Sequence, residues 1–144
     1  MHTFGSPAAK ASATSADGTA EGLARLRAAL EENERSARDA MIVHFVQDEL
    51  TAAPGGPYPH ISPIGAYDAA RRRVLVLDVD REWYEPYWVS DEALFKAMSR
   101  RTSAFGAGGW VLARFGESAP RRSPFFESPY VERATVRLGQ VAVG

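Results

Sequence analysis

Leu23, Leu26 and Leu30 recur at i, i+3 and i+7 among Ala, Arg and Glu. That spacing gives one apolar face and one charged face, and it predicts a helix over residues 20–38. Met41-Ile42-Val43-His44-Phe45-Val46 is short and rich in β-branched and aromatic residues, and Pro54-Gly55-Gly56-Pro57 ends whatever follows it, so a strand and then a loop are predicted. Residues 60–67 and 74–79 are apolar runs on either side of the polar stretch 68–73, which predicts two antiparallel strands joined by a tight turn. Ser90, as N-cap, with Asp91 and Glu92 in the first turn, opens a short helix through Ala93-Leu94-Phe95-Lys96-Ala97-Met98. A glycine-rich loop over 106–109 leads into a further strand, Trp110-Val111-Leu112-Ala113-Arg114-Phe115. Residues 1–20 carry too few large apolar side chains to offset their ordering entropy and read as a flexible leader. Residues 116–144 alternate in a strand-like way only over 135–143 and read as a loosely attached tail. The expected organisation is therefore a leader over 1–19, a folded unit over 20–115 and a tail over 116–144.

Composition narrows the function classes. The chain has 144 residues, 45% hydrophobic and 24% charged, which fits one compact domain. Seventeen Lys+Arg against eighteen Asp+Glu leave a net charge of −1, so no global basic field is available to hold nucleic acid or an anionic membrane. Arg71, Arg72 and Arg73 fall in the predicted turn and read as a solvated surface. No run approaches the roughly 18 apolar residues of a spanning helix, and the first residues lack the basic and apolar regions of a secretory signal. The expected location is cytoplasmic. There is no cysteine, which removes disulfides, thiolate ligands and thiol nucleophiles from this chain together. His2, His44 and His60 fit no zinc spacing. The 106–109 loop has no Lys-Ser/Thr and opens no helix, so it is not a phosphate cradle.

His60 heads one predicted strand and Asp78 ends the next. In an antiparallel pair joined by a tight turn such ends lie side by side, within reach of a hydrogen bond. Two readings stand open: a structural bond between strands, or the orienting pair of a catalytic triad in which a carboxylate fixes one imidazole nitrogen so that the other acts as base and then acid. Ser62, two residues from His60 on the same strand, reads as a structural hydroxyl.

The stretch His60-Ile61-Ser62-Pro63-Ile64-Gly65-Ala66-Tyr67-Asp68, then Val74-Leu75-Val76-Leu77-Asp78-Val79-Asp80-Arg81, then Tyr84, Pro86 and Trp88-Val89, resembles the second half of the phytochelatin synthase catalytic domain. That family carries His-Phe/Ile-Ser-Pro-Ile/Leu, an apolar strand ending in Leu-Asp-Val-Ala-Arg, and Lys-Tyr-Pro-Pro-x-Trp-Val, in this order and spacing. The resemblance extends less sharply from Leu23 to Phe115. Pro59 stands where the family has Gly, and Glu85 replaces the first proline of its Pro-Pro pair. Ser99-Arg100-Arg101-Thr102 and Gly108-Gly109-Trp110 depart from the segments associated with gripping a glutamyl group.

The resemblance implies an α+β fold, the C-terminal half of a papain-like cysteine-peptidase fold, with an antiparallel sheet and flanking helices. It implies a glutathione γ-glutamylcysteinyltransferase: a cysteine attacks the amide of glutathione, glycine leaves, and the γ-glutamylcysteinyl group passes to a second glutathione, in heavy-metal detoxification. His60 and Asp78 would be catalytic, and Arg81 and Tyr84 would meet substrate. Tyr84, Trp88 and Trp110 match family aromatic positions, with core packing as their expected role. No resident cofactor is identified; heavy-metal thiolates, of Cd or Zn for example, are implied as substrate or activator. The implied partners are glutathione or a related thiol peptide, a Cys-bearing half, or a second copy, with no nucleic acid and no membrane. Since the chain lacks the nucleophile, the expectation is the His/Asp half of such a transferase, inactive by itself; the alternative is a non-catalytic glutathione-binding or regulatory module. Half of such a fold should also leave apolar sheet surface open to a partner.

Overall fold

The structure, a computed structural model, describes residues 10–52, 56–80, 82, 84–103 and 106–115. In chain order its elements are β1 (Lys10–Ser15), α1 (Ala20–Arg35), β2 (Asp39–Val46), α2 (Asp48–Thr51), β3 (Pro59–Asp68), β4 (Arg73–Val76), β5 (Tyr87–Ser90), α3 (Asp91–Ser99) and β6 (Gly109–Arg114). The architecture is α+β: one six-stranded sheet in the order β1-β6-β2-β3-β4-β5, antiparallel at every pairing.

The helices form where the sequence signals them. Thr19 caps α1, its hydroxyl accepting from the Gly22 N–H at 2.9 Å. The helix ends at Arg35 rather than at 38 because Ser36 turns extended and its N–H closes back on the Asn33 carbonyl. Ser90 caps α3 by accepting from the Ala93 N–H at 3.1 Å. Leu26 and Leu30 of α1 and Leu94 and Met98 of α3 are fully buried and join Met41, Val43, Phe45, Ile64, Val74 and Val76 in one cluster. Both helices therefore cover one face of the sheet. The alternate strand residues Ile42, Ile61 and Trp88 point away from that cluster and are exposed, leaving the opposite face apolar and uncovered by any described element.

A charged group is buried between the helices and the sheet. The Asp91 side chain has no exposure and receives Arg27 through Nε at 2.8 Å and Nη2 at 2.9 Å, with the Tyr67 hydroxyl donating at 2.9 Å. This cluster ties α1, α3 and β3 together.

Three expectations need correction. The leader is partly a strand: Lys10–Ser15 pairs along its whole length with β6, and Ala16 behind it is buried, its N–H donating to the Gly108 carbonyl at 2.9 Å. Such an edge strand is held by backbone bonds, and its small, mostly exposed side chains give no apolar signal. The strand expected over 74–79 stops at Val76, and Tyr87–Ser90, not anticipated as an element, pairs with it as β5. Trp110 is buried as expected, but Trp88 is 46% exposed on the outer face rather than packed in the core. The arginine turn is as read, with Arg71 bound to Asp68 and largely in solvent. The expected tail over 116–144 lies outside the described residues. Among the described residues no helix is long and apolar enough to cross a membrane.

Candidate active site

The site forms where β3 passes the end of β4. Ile64 pairs with Val76 and Ala66 with Leu75, so Gly65 is an extra residue in β3. A Cβ there would lie 2.8 Å from Cδ2 of Leu77; the missing side chain lets Leu77 cross β3 closely, and the Leu77 N–H donates to the Pro63 carbonyl at 3.0 Å. The chain then leaves the ladder, and the next residue is Asp78. Earlier along β3, His60 sits opposite Phe45 of β2, whose ring meets the imidazole edge-on with centroids 5.5 Å apart.

His60 Nε2 lies 2.9 Å from Asp78 Oδ1. The imidazole is 13% exposed and the carboxylate not at all. The pair anticipated from the spacing of eighteen residues is therefore in contact. Asp78 has two further partners: its Oδ1 accepts the Asp80 N–H at 2.9 Å, and its Oδ2 accepts the Tyr87 hydroxyl at 3.1 Å. A carboxylate that accepts from Nε2 fixes the proton on that nitrogen of the neutral ring, so Nδ1 carries the lone pair. Burial pushes the Tyr87 phenol up, and the neighbouring Asp78 charge adds to it, so the phenol keeps its proton and remains a donor.

The other candidates are placed as follows. Ser62 is fully buried on the same strand as His60, and its Oγ has no hydrogen-bond partner among the described residues; an inward hydroxyl sealed in the core is a structural group. Tyr84 lies in the connection after Asp78, its N–H donating to the Asp80 carbonyl at 3.0 Å, and it is near enough to Tyr87 to raise that phenol slightly. Arg81 lies outside the described residues. His44 is on β2 with burial pushing its imidazole down, and it does not join the pair. Among the described residues no group of three or more His, Asp or Glu side chains is arranged to hold a metal ion.

Tyr87 is the site residue that sequence reasoning missed. It stands at the unspecified position of the Lys-Tyr-Pro-Pro-x-Trp-Val pattern, and its only signal was the run Tyr87-Trp88-Val89 of β-prone residues. Seen as a strand beside β4, that run places Tyr87 opposite Val76, two residues before Asp78.

The paired imidazole and carboxylate lie inside a longer match to known proteins. A profile of the family described as phytochelatin synthase matches residues 4–107. The chain belongs to the phytochelatin synthase family. The matched region begins ahead of β1 and so takes in the edge strand as well as the helices and the His60–Asp78 pair. Curated relatives agree. The chain is 41% identical over 66 residues to glutathione gamma-glutamylcysteinyltransferase 1 of Arabidopsis thaliana, covering 45% of this chain and 13% of that relative. It is 42% identical over 62 residues to glutathione gamma-glutamylcysteinyltransferase 1 of Triticum aestivum, covering 42% and 12%, and 49% identical over 47 residues to glutathione gamma-glutamylcysteinyltransferase 3 of Lotus japonicus, covering 33% and 10%. The matched stretch thus spans 13% or less of the length of these relatives.

Proposed function

We propose that this chain supplies the His/Asp half of a papain-like γ-glutamylcysteinyl transferase, with the thiol coming from outside these 144 residues. The observation that carries the proposal is the 2.9 Å contact from His60 Nε2 to a fully buried Asp78 carboxylate, which leaves Nδ1 as the nitrogen able to exchange a proton. The thiol proton passes to Nδ1, and the thiolate attacks the carbonyl carbon of the Cys-Gly amide of glutathione. Nδ1–H then protonates the departing glycine amine, leaving a γ-glutamylcysteinyl thioester. The amine of a second glutathione attacks the thioester, its proton returns to Nδ1, and Nδ1–H reprotonates the released thiolate. Asp78 holds the ring and stabilises the imidazolium in both half-reactions. Arg81 is the group we assign to an acceptor or substrate carboxylate, and Tyr84 to substrate contact. Heavy-metal ions enter as thiolates of the acceptor glutathione, as substrate.

The test combines the chain with a Cys-bearing half and glutathione and follows glycine release. A rate above that of the Cys half alone, abolished by His60→Ala, is the expected result. No added rate, or a rate indifferent to His60→Ala, overturns the proposal.

The absence of cysteine favours a second function, a non-catalytic glutathione-binding or regulatory module in the same fold. Calorimetry separates the two: glutathione binding by the isolated chain that survives His60→Ala supports the module, and no heat from the folded chain argues against a retained glutathione pocket.

A further inference from the structure

We infer that Tyr87 is a positioning residue for His60: by donating to Oδ2 of Asp78 it locks the carboxylate with Oδ1 turned toward Nε2. The inference rests on the transferase assignment only for its catalytic meaning; the geometry is independent of it. Asp78 lies beyond the end of β4, so no ladder hydrogen bond fixes its backbone, and its side-chain torsions must be set by what the carboxylate touches. Oδ1 is held from two sides, by His60 Nε2 at 2.9 Å and the Asp80 N–H at 2.9 Å. Both of those partners lie on the Oδ1 side. Tyr87 alone among the described residues holds Oδ2, at 3.1 Å.

Tyr87 is well placed for the task. Its backbone is anchored in β5 opposite Val76, and its ring packs partly buried against the core. The hydroxyl therefore approaches Asp78 from a fixed strand rather than from the loop that carries Asp78. Burial and the Asp78 charge both keep the phenol protonated, so the donor persists wherever the carboxylate is ionised. Against the imidazole lie the Phe45 ring from β2 and the Asp78 carboxylate, which in turn holds the Tyr87 hydroxyl from β5 and the Asp80 N–H.

Without the hydroxyl, Oδ2 is left buried and unpaired, and the carboxylate turns to seek another donor, which weakens its bond to Nε2. Imidazole nitrogen NMR of the 144-residue chain reads this directly. With the ring neutral, Nε2–H is the tautomer expected to dominate in the unmodified chain, and Asp78→Asn is expected to disturb that preference. Tyr87→Phe keeps the ring and its packing and is expected to lower the ratio of Nε2–H to Nδ1–H roughly fivefold, the effect of losing one ordinary hydrogen bond. An unchanged ratio in a folded Tyr87→Phe chain, alongside an altered one in Asp78→Asn, overturns the role of Tyr87 and leaves the His–Asp pair standing. If the unmodified chain has no preferred tautomer and Asp78→Asn changes nothing, the catalytic pair itself fails. Should Tyr87→Phe not fold, 3-fluorotyrosine placed at position 87 carries the test. Its more acidic hydroxyl donates more strongly to Oδ2 and holds the carboxylate more firmly with Oδ1 toward Nε2, so the ratio of Nε2–H to Nδ1–H is expected to rise; an unmoved or lowered ratio overturns the inference.

Discussion

Replacing Asp91 with alanine should be among the most damaging single changes available to this chain. The carboxylate has no exposure and satisfies three donors: two nitrogens of Arg27 at 2.8 and 2.9 Å and the Tyr67 hydroxyl at 2.9 Å. Removing one member of a buried pair costs about 3–5 kcal/mol because the survivor is left uncompensated. The Arg27 side chain is 25% exposed and keeps a 3.2 Å contact with Glu92, so it retains some solvation, which puts the expected loss near the lower bound, about 3 kcal/mol. For a domain of this size that lowers the melting temperature by about 12–24 °C. Urea titration and thermal melting followed by far-ultraviolet dichroism at pH 7 measure it. Arg27→Met with Asp91→Leu, which removes both charges, should recover much of the loss. The acid limb provides a second check. Burial alone pushes the Asp91 carboxyl up, but the bonds from Arg27 and Tyr67 outweigh it and hold it below the ordinary carboxylate value. A lowered folded-state pKa means that the contribution is complete above about pH 4, the unfolded value, and is lost as pH falls through the folded value. Stability of the unmodified chain should therefore drop more steeply below pH 4 than that of Asp91→Ala. A loss under about 1 kcal/mol at pH 7, or a double variant no better than the single one, would refute the reasoning.

Two further outcomes are expected. At Gly109 a Cβ would fall 2.0 Å from the Thr14 carbonyl oxygen, so Gly109→Ala should force β1 off β6 at a cost of about 1–3 kcal/mol, seen as faster amide exchange at residues 10–15 with β2 and β3 unaffected. Bonds from the Thr19 backbone and hydroxyl, with help from Arg25, hold the Asp17 carboxyl down to about 2. Its carbon NMR signal should titrate there, and Thr19→Ala should move the midpoint back toward the ordinary carboxylate range.

What could be read in the sequence was whatever rests on large side chains or local caps. Leu26 and Leu30 announce the buried face of α1 and Ser90 announces the start of α3, because burial and capping each demand particular residue types at fixed spacing. The His60–Asp78 contact was legible in outline, because a tight turn brings the ends of its two strands together, but the two residues meet through features with no sequence signal, the extra residue Gly65 in β3 and the departure of the chain from the ladder after Val76. β1 left no such mark, since Lys10-Ala11-Ser12-Ala13-Thr14-Ser15 contributes backbone bonds and little buried surface. Tyr87 was hidden because its role depends on a four-residue strand and on where the chain goes after Val76. The end of the ladder at Val76 was also illegible: Leu77 and Val79 are as apolar as the strand residues before them, but they are exposed beyond the point where the pairing stops.

The strand order places β6, the last described strand in the chain, between β1, the first, and β2. Among the described strands β1 therefore leaves the ribosome well before β6, the strand that receives it, and β2 emerges with one of its two flanks open until residues 109–114 have cleared the exit tunnel. Folding of the sheet is in that sense a closing step taken late in synthesis. A nascent chain stalled before Gly109 presents the bare flank of β2, a strand carrying Met41, Val43 and Phe45, as a template for other unfolded chains. β1 and β6 are thereby committed to each other, and the earlier strand waits for the later one.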